Sequence, residues 1–330
     1  MSADHHHAHR PGERAASASE QQLQQQVLDA LHSNTPLAIQ GANSKSFLGR
    51  PVEGQVLDTR GHSGIVNYDP TELVVTVRSG TPLVELFAAL EAQGQMLTCE
   101  PPTFNGQATV GGMIAAGLSG PRRPWSGAVR DLVLGTRVIT GHGKLLRFGG
   151  EVMKNVAGYD LSRLMAASFG QLGVLTEVSL KVLPKPVSTH HLRLELPAEK
   201  ALLKLADWGQ QPIPITAAAY LDGHLHLRLE GGIGSVRSAA DRIGGSELNA
   251  DFWTQLNEQQ LAFFQDPRPL WRLSLPSLTP ALDLPGDSLL DWAGAQRWLK
   301  SDAAADEIQA LASRHGGHAT CHSSGVTDSP

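Results

Sequence analysis

Residues 106–120 read GQATVGGMIAAGLSG, a run of mostly small side chains around Gly111, Gly112 and Gly117. Phosphates and other anions are held by backbone N–H groups, and bulky side chains obstruct that approach. The same glycines also suit a helix packed closely on a neighbouring strand, and both readings stand for this run taken alone. Working outward, residues 41–44, 79–82 and 170–176 have the same small-residue character. Four such loops in one half of a chain point to a long ligand laid across several turns, and FAD is such a ligand. Simpler nucleotide sites are excluded. No Gly-x-x-x-x-Gly-Lys-Ser/Thr loop occurs, and no Gly-x-Gly-x-x-Gly opens a helix after an early strand.

The flanking patterns predict an α+β fold. Leu23, Val27 and Leu31 share one face of a helix expected over residues 20–32, with Ser19 as its N-cap. Strands are expected at 37–40, 73–77 and 174–183, a helix from Pro82 to about residue 93, and a hairpin of 131–140 with 144–148 around Gly141-His142-Gly143. Pro184 and Pro186 mark a boundary, because closely spaced prolines favour extended chain. The expected organisation is a polar tail over 1–20, a first domain over 21–186 and a smaller α+β domain over 187–330. In the latter, strands are expected at 191–196, 224–230, 271–275 and 296–300, and helices at 198–208, 248–264 and 303–315.

Composition narrows the function. The chain has 330 residues, 41% hydrophobic and 18% charged, enough to bury a core in about two domains. A net charge of -5 and the lack of a basic run argue against nucleic acid. Cys99 and Cys321 are the only cysteines, so the chain cannot hold an iron–sulfur cluster by itself, and the low count suits the cytoplasm. No apolar run reaches the roughly 18 residues of a membrane span, and the polar start does not read as a signal peptide. His5, His6, His7 and His9 read as a solvated tail rather than a metal site.

Five ordered segments carry a family resemblance. LAIQGANSKSFLG from Leu37 resembles the pyrophosphate loop of the FAD-binding (PCMH-type) domain of the vanillyl-alcohol oxidase superfamily. YDPTELVVTVRSGTPLVEL from Tyr68 is similar to its next strand–turn–helix, and the run from Gly106 to its T-x-G-G flavin segment. KNVAGYDL from Lys154 and SFGQLGVLTEVSLKVLP from Ser168 resemble the signature of its 2-hydroxy-acid dehydrogenase branch and the closing strand. Within that branch, QGANSKSFLG, PRRPWSGAVRDLVLG from Pro121 and the RWLKSDA run near Arg297 are most similar to the FAD-binding subunits of bacterial glycolate oxidase.

The resemblance implies a two-lobed FAD-binding domain followed by a cap domain. It places Gly41, Asn43, Ser44, Gly80 and Thr81 at the pyrophosphate, and Thr109, Gly111, Gly112, Ser119 and Gly120 along the ribityl and ring region. It also places Gly173 and Val174 near the adenosine half, and Gly158 and Tyr159 at the isoalloxazine edge. Lys154 and Asp160 fit either a flavin contact or an ion pair or cap, and Arg130 with Asp131 fits a structural role. Cys99 fits covalent flavin attachment, or better a small buried apolar residue. The implied partners are a larger homologous flavin subunit and an iron–sulfur subunit that carries electrons towards the inner membrane, with which this chain would associate peripherally.

Oxidising glycolate or D-lactate requires an acceptor for hydride, a cation for the carboxylate and a base for the hydroxyl proton. His224, His226 and Arg228 alternate onto one face of a strand and offer base and anchor, alongside Tyr159. The preferred reading of that face is the polar outer side of a solvated strand, and Arg193 and Arg272 carry the same ambiguity. The histidine-rich metal motif implied for catalytic members of the branch is incomplete, so no metal site is expected. The second domain is short, and residue 330 is reached without the family's N-P-G-type tail, as a truncated chain would be. Three functions stay open: a catalytic subunit, a scaffold whose paralogous partner does the chemistry, and a free-standing oxidase.

Overall fold

Ser17 caps the first helix, α1 (Ala18–Ser33), its Oγ accepting the Glu20 N–H at 3.3 Å. The expected cap, Ser19, bonds His62 Nδ1 instead, at 2.8 Å. The helix starts early because Glu20 is drawn inward: its buried carboxylate pairs with Arg137 at 3.2 Å and accepts the Thr176 hydroxyl at 2.6 Å. The structure, a computed structural model, describes residues 15–50, 52–150 and 159–323.

After α1 come β1 (Leu37–Gln40) and β2 (Gln55–Asp58), which pair in parallel as a two-stranded unit. Next are β3 (Ile65–Asp69), β4 (Val74–Arg78), α2 (Leu83–Glu91), the two-residue strand β5 (Gln95–Met96) and α3 (Val110–Ala116). Two single turns, α4 (Arg123–Ser126) and α5 (Val129–Leu132), lead to the hairpin of β6 (Val133–Ile139) and β7 (Leu145–Gly149). A further turn, α6 (Leu161–Leu164), precedes β8 (Val174–Lys181) and β9 (Leu183–Pro184). The five-stranded antiparallel sheet has the order β3-β4-β8-β6-β7. Its buried face, including Val75, Val77, Val138, Val178 and Leu180, packs on Leu83, Leu86 and Leu90 of α2 and on Met113 and Ile114 of α3. Cys99 lies in this core with no exposed surface, and burial pushes its thiol pKa up, so it behaves as a small apolar residue.

The second half contains β10 (Ser188–Glu195), α7 (Ala198–Trp208), β11 (Ile215–Leu221), β12 (His224–Gly231), α8 (Ile233–Ile243), β13 (Ser246–Glu247) and α9 (Asp251–Asn257). It ends with β14 (Leu270–Ser274), β15 (Asp287–Asp291), β16 (Gln296–Lys300), α10 (Ala305–Arg314) and β17 (His318–Cys321). The eight strands form an antiparallel sheet in the order β13-β10-β12-β11-β15-β16-β14-β17. Helices α7 and α8 bury Leu225, Leu227 and Leu229 of β12, and α10 buries Trp271, Leu273 and Leu299. On the opposite face, Trp253 and Leu256 of α9 pack on Ala217, Ala219 and Leu289. Sequence reasoning missed β11, β15, β17 and α8. The long helix expected over 248–264 is the short α9 followed by a 3-10 turn, Ala262–Gln265.

Candidate flavin and substrate site

Four loops are sewn together beside the five-stranded sheet. The Thr59 N–H, after β2, donates to Gln40 O at the end of β1. The Gly80 N–H donates to His62 O, the Gly64 N–H to Thr81 Oγ1 at 2.8 Å, and the Val110 N–H to Thr81 O at 2.9 Å. The Gly111 N–H donates to Ser79 O at 2.7 Å, and Thr109 caps α3 by accepting the Gly112 N–H. These seams require small residues. A Cβ on Gly41 would collide with the Thr109 hydroxyl, and one on Gly111 would lie 2.7 Å from the Ser79 Cβ.

The amides of Gly80, Gly111 and Gly112 are therefore occupied inside the protein, and close packing is the role the contacts give Gly111. Within residues 41–48, by contrast, the backbone hydrogen bond found runs from the Leu48 N–H to Lys45 O, and Asn43 adopts φ 56°. Two buried hydroxyls, Ser79 Oγ and Thr98 Oγ1, have no protein partner, and both are enclosed by the protein rather than open to this surface. Gly173 (φ 140°) approaches Ile139 O, and Val174 packs in the small core beneath α1 with Leu57 and Ile139.

Ser119 and Gly120 lie farther along, where the two halves of the chain meet. Ser119 Oγ accepts the Val129 N–H at 3.1 Å, and the Gly120 N–H donates to Cys99 O at 2.8 Å. A Cβ on Gly120 would strike Glu100 O. Across the junction, Trp292 Nε1 donates to Gly120 O at 3.0 Å. Trp292 belongs to a tight connection between β15 and β16 in which Trp292, Ala293 and Gly294 have φ of 53°, 56° and 94°. Two consecutive non-glycine residues in the left-handed region are costly and persist only where their surroundings fix them. Arg123 and Arg272 lie over the Trp292 ring, at 4.4 and 5.1 Å from its centroid.

The face holding His224, His226 and Arg228 is not solvated. Residues alternate along β12 as expected, but α9 and the first domain cover this side, leaving His226 and Arg228 each 7% exposed. The His226 ring stacks on Phe252 at 4.1 Å, and burial holds it neutral with a pKa near 4. His224 Nδ1 lies 2.7 Å from Asp222 O. Arg228 reaches Glu100 Oε1 at 2.8 Å and Glu230 at 3.7 Å, while Arg122 pairs with the same two carboxylates. This charge-balanced group of four seals the junction and leaves Arg228 no free fork for a ligand. Tyr159 is 98% exposed and joins none of these groups. Asp160 caps α6 and pairs with Arg163 at 3.1 Å, and Asp131 accepts the Ala128 N–H. Gly158 and Lys154 lie outside the described residues, as do the four N-terminal histidines.

A cavity of about 30 Å3 lies between Gly120 and the second sheet. Ser119, Gly120 and Phe104 wall one side, and Arg272, Asp291, Gln296 and Trp298 the other. Asp291 is 3% exposed, and burial pushes its carboxyl up to about 7 despite hydrogen bonds from the Trp292 N–H at 2.7 Å and Gln296 Nε2 at 3.0 Å. Arg272 Nε donates to Gln296 Oε1 at 2.7 Å, and burial lowers its guanidinium pKa to about 10. Sequence reasoning missed Asp291 and Gln296 as site residues, although Gln296 opens the strand expected at 296–300 and the RWLKSDA run beside it, from Arg297, is part of the resemblance.

Comparison with known proteins decides the family. The chain is 61% identical over 305 residues to glycolate oxidase subunit GlcE of Escherichia coli K12, covering 92% of this chain and 87% of that one. The chain belongs to the GlcE family of glycolate oxidase subunits. The FAD binding domain family matches residues 14–149, and the chain is a flavoprotein oxidoreductase subunit whose cofactor is FAD. Glycolate oxidase subunit GlcD of Bacillus subtilis is 36% identical over 137 residues, 41% of this chain but 29% of that protein. A D-lactate dehydrogenase of Anaerostipes hadrus is 39% identical over 124 residues, 38% of this chain and 26% of that one. An alkyldihydroxyacetonephosphate synthase structure shares the fold, with TM-score 0.67 at 15% identity over 92% of this chain and 70% of that one. The two-lobed PCMH-type α+β architecture expected from sequence is thus the fold of this GlcE-family chain.

Proposed function

We propose that this chain is the smaller flavin subunit of a complex that oxidises glycolate to the 2-oxo acid, and passes the electrons to an iron–sulfur partner. A larger, GlcD-like flavin subunit is the implied second partner. The observation that carries the reading is a set of four closely packed loops whose chain continues into the Ser119–Gly120 segment, which lines a cavity together with an arginine and a protonatable carboxylate. Gly41, Asn43 and Ser44 would hold the pyrophosphate, with Gly80 and Thr81, whose amides are bonded within the protein, shaping the surface beside them. Thr109, Gly111 and Gly112 would shape the ribityl path, with Ser119 and Gly120 at the ring and Gly173 and Val174 at the adenosine end. When bound, FAD supplies the hydride acceptor. The chain's own residues bind and orient the substrate, and α9 with the Trp292 turn keeps water from the junction.

A second reading, in which the paralogous subunit performs the chemistry, is favoured by two features. No group of three metal-ligating side chains occurs among the described residues, and Arg228 is engaged in ion pairs. No helix among the described residues is long and apolar enough to cross a membrane, so any membrane contact is proposed to run through partners. Visible spectra of the FAD-loaded chain, before and after anaerobic addition of glycolate, test the assignment. Bleaching places oxidation on this polypeptide, and an unchanged flavin spectrum moves it to the partner. D-lactate in the same cell tests the breadth of substrate.

A further inference from the structure

We propose that the cavity between Ser119–Gly120 and the β14–β16 strands is a binding site for the carboxylate of a small organic acid, with Arg272 as its anchor and Asp291 as the group that makes binding take up a proton. The inference deepens the flavin-subunit reading and rests on it for the identity of the acid.

Four observations support it independently of the resemblance. First, Arg272 lines the cavity with no carboxylate partner. Its one side-chain hydrogen bond runs from Nε to the neutral Gln296 amide, and no ion pair joins it to Asp or Glu among the described residues. An arginine in this setting normally takes a planar anion on its remaining donors. Arg122 and Arg228 at this junction are committed to Glu100 and Glu230, and Arg123 stacks on Trp292 outside the cavity lining. Second, the space matches the ligand head: about 30 Å3 admits on the order of two or three water-sized groups, the size of a carboxylate. Third, Asp291 lines the same cavity, buried and hydrogen-bonded by the Trp292 N–H and the Gln296 amide, with the Arg272 charge acting on it across the cavity but not in ion-pair contact. A second carboxylate beside it favours a proton on one of the two, since like charges at close range raise each other's pKa. Fourth, the strained backbone at Trp292 and Ala293 fixes Asp291 and the Gly120 contact together. Strain held at a cavity wall is a recurrent mark of a working site.

The arrangement predicts the kind of acid. One carboxylate is held by Arg272, and Gln296 and Asp291 sit within the same wall to meet a hydroxyl on the adjacent carbon. Phe104 and Trp298 also line the cavity, whose small volume suits a short acid.

The experiment uses the full FAD-loaded chain and oxalate, an unreactive two-carbon diacid, as the probe. Calorimetry in two buffers of different ionisation enthalpy reads affinity and proton uptake together. The expected result is binding with uptake of a proton near neutral pH. Arg272→Gln is expected to weaken it about tenfold or more, and Arg272→Lys to recover only part of the loss. Asp291→Asn is expected to abolish the proton uptake and tighten binding above neutral pH, a gain that misfolding cannot produce. Arg237→Gln, on the exposed face of α8, serves as the unaffected control. Oxalate that fails to bind, or that binds equally to the wild type and both Arg272 variants, overturns the site. Anaerobic bleaching by glycolate is read separately on the same samples. Bleaching that survives Arg272→Gln at unchanged KM leaves the flavin reading intact and rejects this cavity. Loss of oxalate binding in that variant, in a chain that glycolate never bleaches, upholds the carboxylate site and moves oxidation to the partner.

Discussion

The Arg228 guanidinium lies 2.8 Å from the Glu100 carboxylate, joining the centre of the eight-stranded sheet to the backbone that carries Cys99 and abuts Gly120. Arg122 and Glu230 complete the group, so two cations and two anions are shut in together. Removing one member of such a set strands an opposite charge, and that loss outweighs the attraction itself. Arg228→Ala is therefore expected to lower stability by about 3 kcal/mol, measured by denaturant unfolding. An Arg228→Ala chain as stable as the wild type would show that the cluster does not hold the halves together.

Gly41 sets the course of the loop between β1 and β2. A side chain there meets the Thr109 hydroxyl, which itself caps α3. Gly41→Val should displace the loop while leaving the sheets folded, since neither core contains this residue. The expected outcome is a chain with wild-type far-ultraviolet dichroism that retains FAD at least about tenfold more weakly, a loss near 1.4 kcal/mol. Full flavin content after extensive dialysis would count against this placement of the cofactor.

The first half of the chain was legible because its determinants are local. Backbone seams demand small residues at fixed places, and Gly41, Gly80 and Gly111 declare themselves by type. The second half was less so. The alternation of His224, His226 and Arg228 with three leucines was read correctly, yet its polar face was assigned to solvent. What covers that face is α9 and Glu100, more than a hundred residues away in the case of Glu100, and no local pattern reports it. Asp291 was invisible for the same reason, because a lone aspartate becomes special only through burial. Trp292 and Ala293 in the left-handed region run against residue preference, and of the turn's three left-handed residues Gly294 alone is of a type that announces one.

That turn makes opposite predictions for neighbouring residues. Trp292→Phe keeps an aromatic ring but removes the Nε1 donor, leaving the Gly120 carbonyl with the Arg123 N–H alone, at a cost of about 1 kcal/mol. Ala293→Gly relieves a left-handed alanine and should stabilise the chain by about 0.5 kcal/mol, the remainder being offset by the greater freedom of unfolded glycine. Thermal unfolding of the two variants against the wild type checks both signs. A destabilised Ala293→Gly would mean that its methyl group contributes packing that outweighs the strain.

Acid should loosen the second half through two histidines. Burial, with Arg272 nearby, lowers His322 to about 3, where it packs on Trp298 at 5.1 Å. His226 is held near 4 by burial, then by His224 and Arg193. Both pKa values lie below the unfolded value near 6.5, so the unfolded chain binds more protons as pH falls from about 6.5 towards 4. Stability is then lost on acidification across that window, by on the order of 1.4 kcal/mol per pH unit for each group. His226→Phe should flatten the slope, read as the change in denaturation midpoint between about pH 7 and pH 5. An unchanged slope would place the proton uptake elsewhere.

Asp291 acts in the opposite sense. Burial is the main cause of its raised pKa, assisted by the charge of Glu100 and opposed by the Trp292 N–H, Gln296 and Arg272. With the folded value near 7 and the unfolded value near 3.8, the folded chain retains a proton that the unfolded chain has released. Its contribution to stability therefore falls as pH rises from about 4 to about 7, and stays low above that. Asp291→Asn keeps an oxygen for the Trp292 N–H and carries no charge, so the variant should gain on the wild type as pH rises from about 5 to 8. The comparison requires denaturant titrations of both chains at the two pH values. A stability difference that does not move with pH would show that Asp291 is already ionised in the folded chain, stabilised by Arg272 across the cavity.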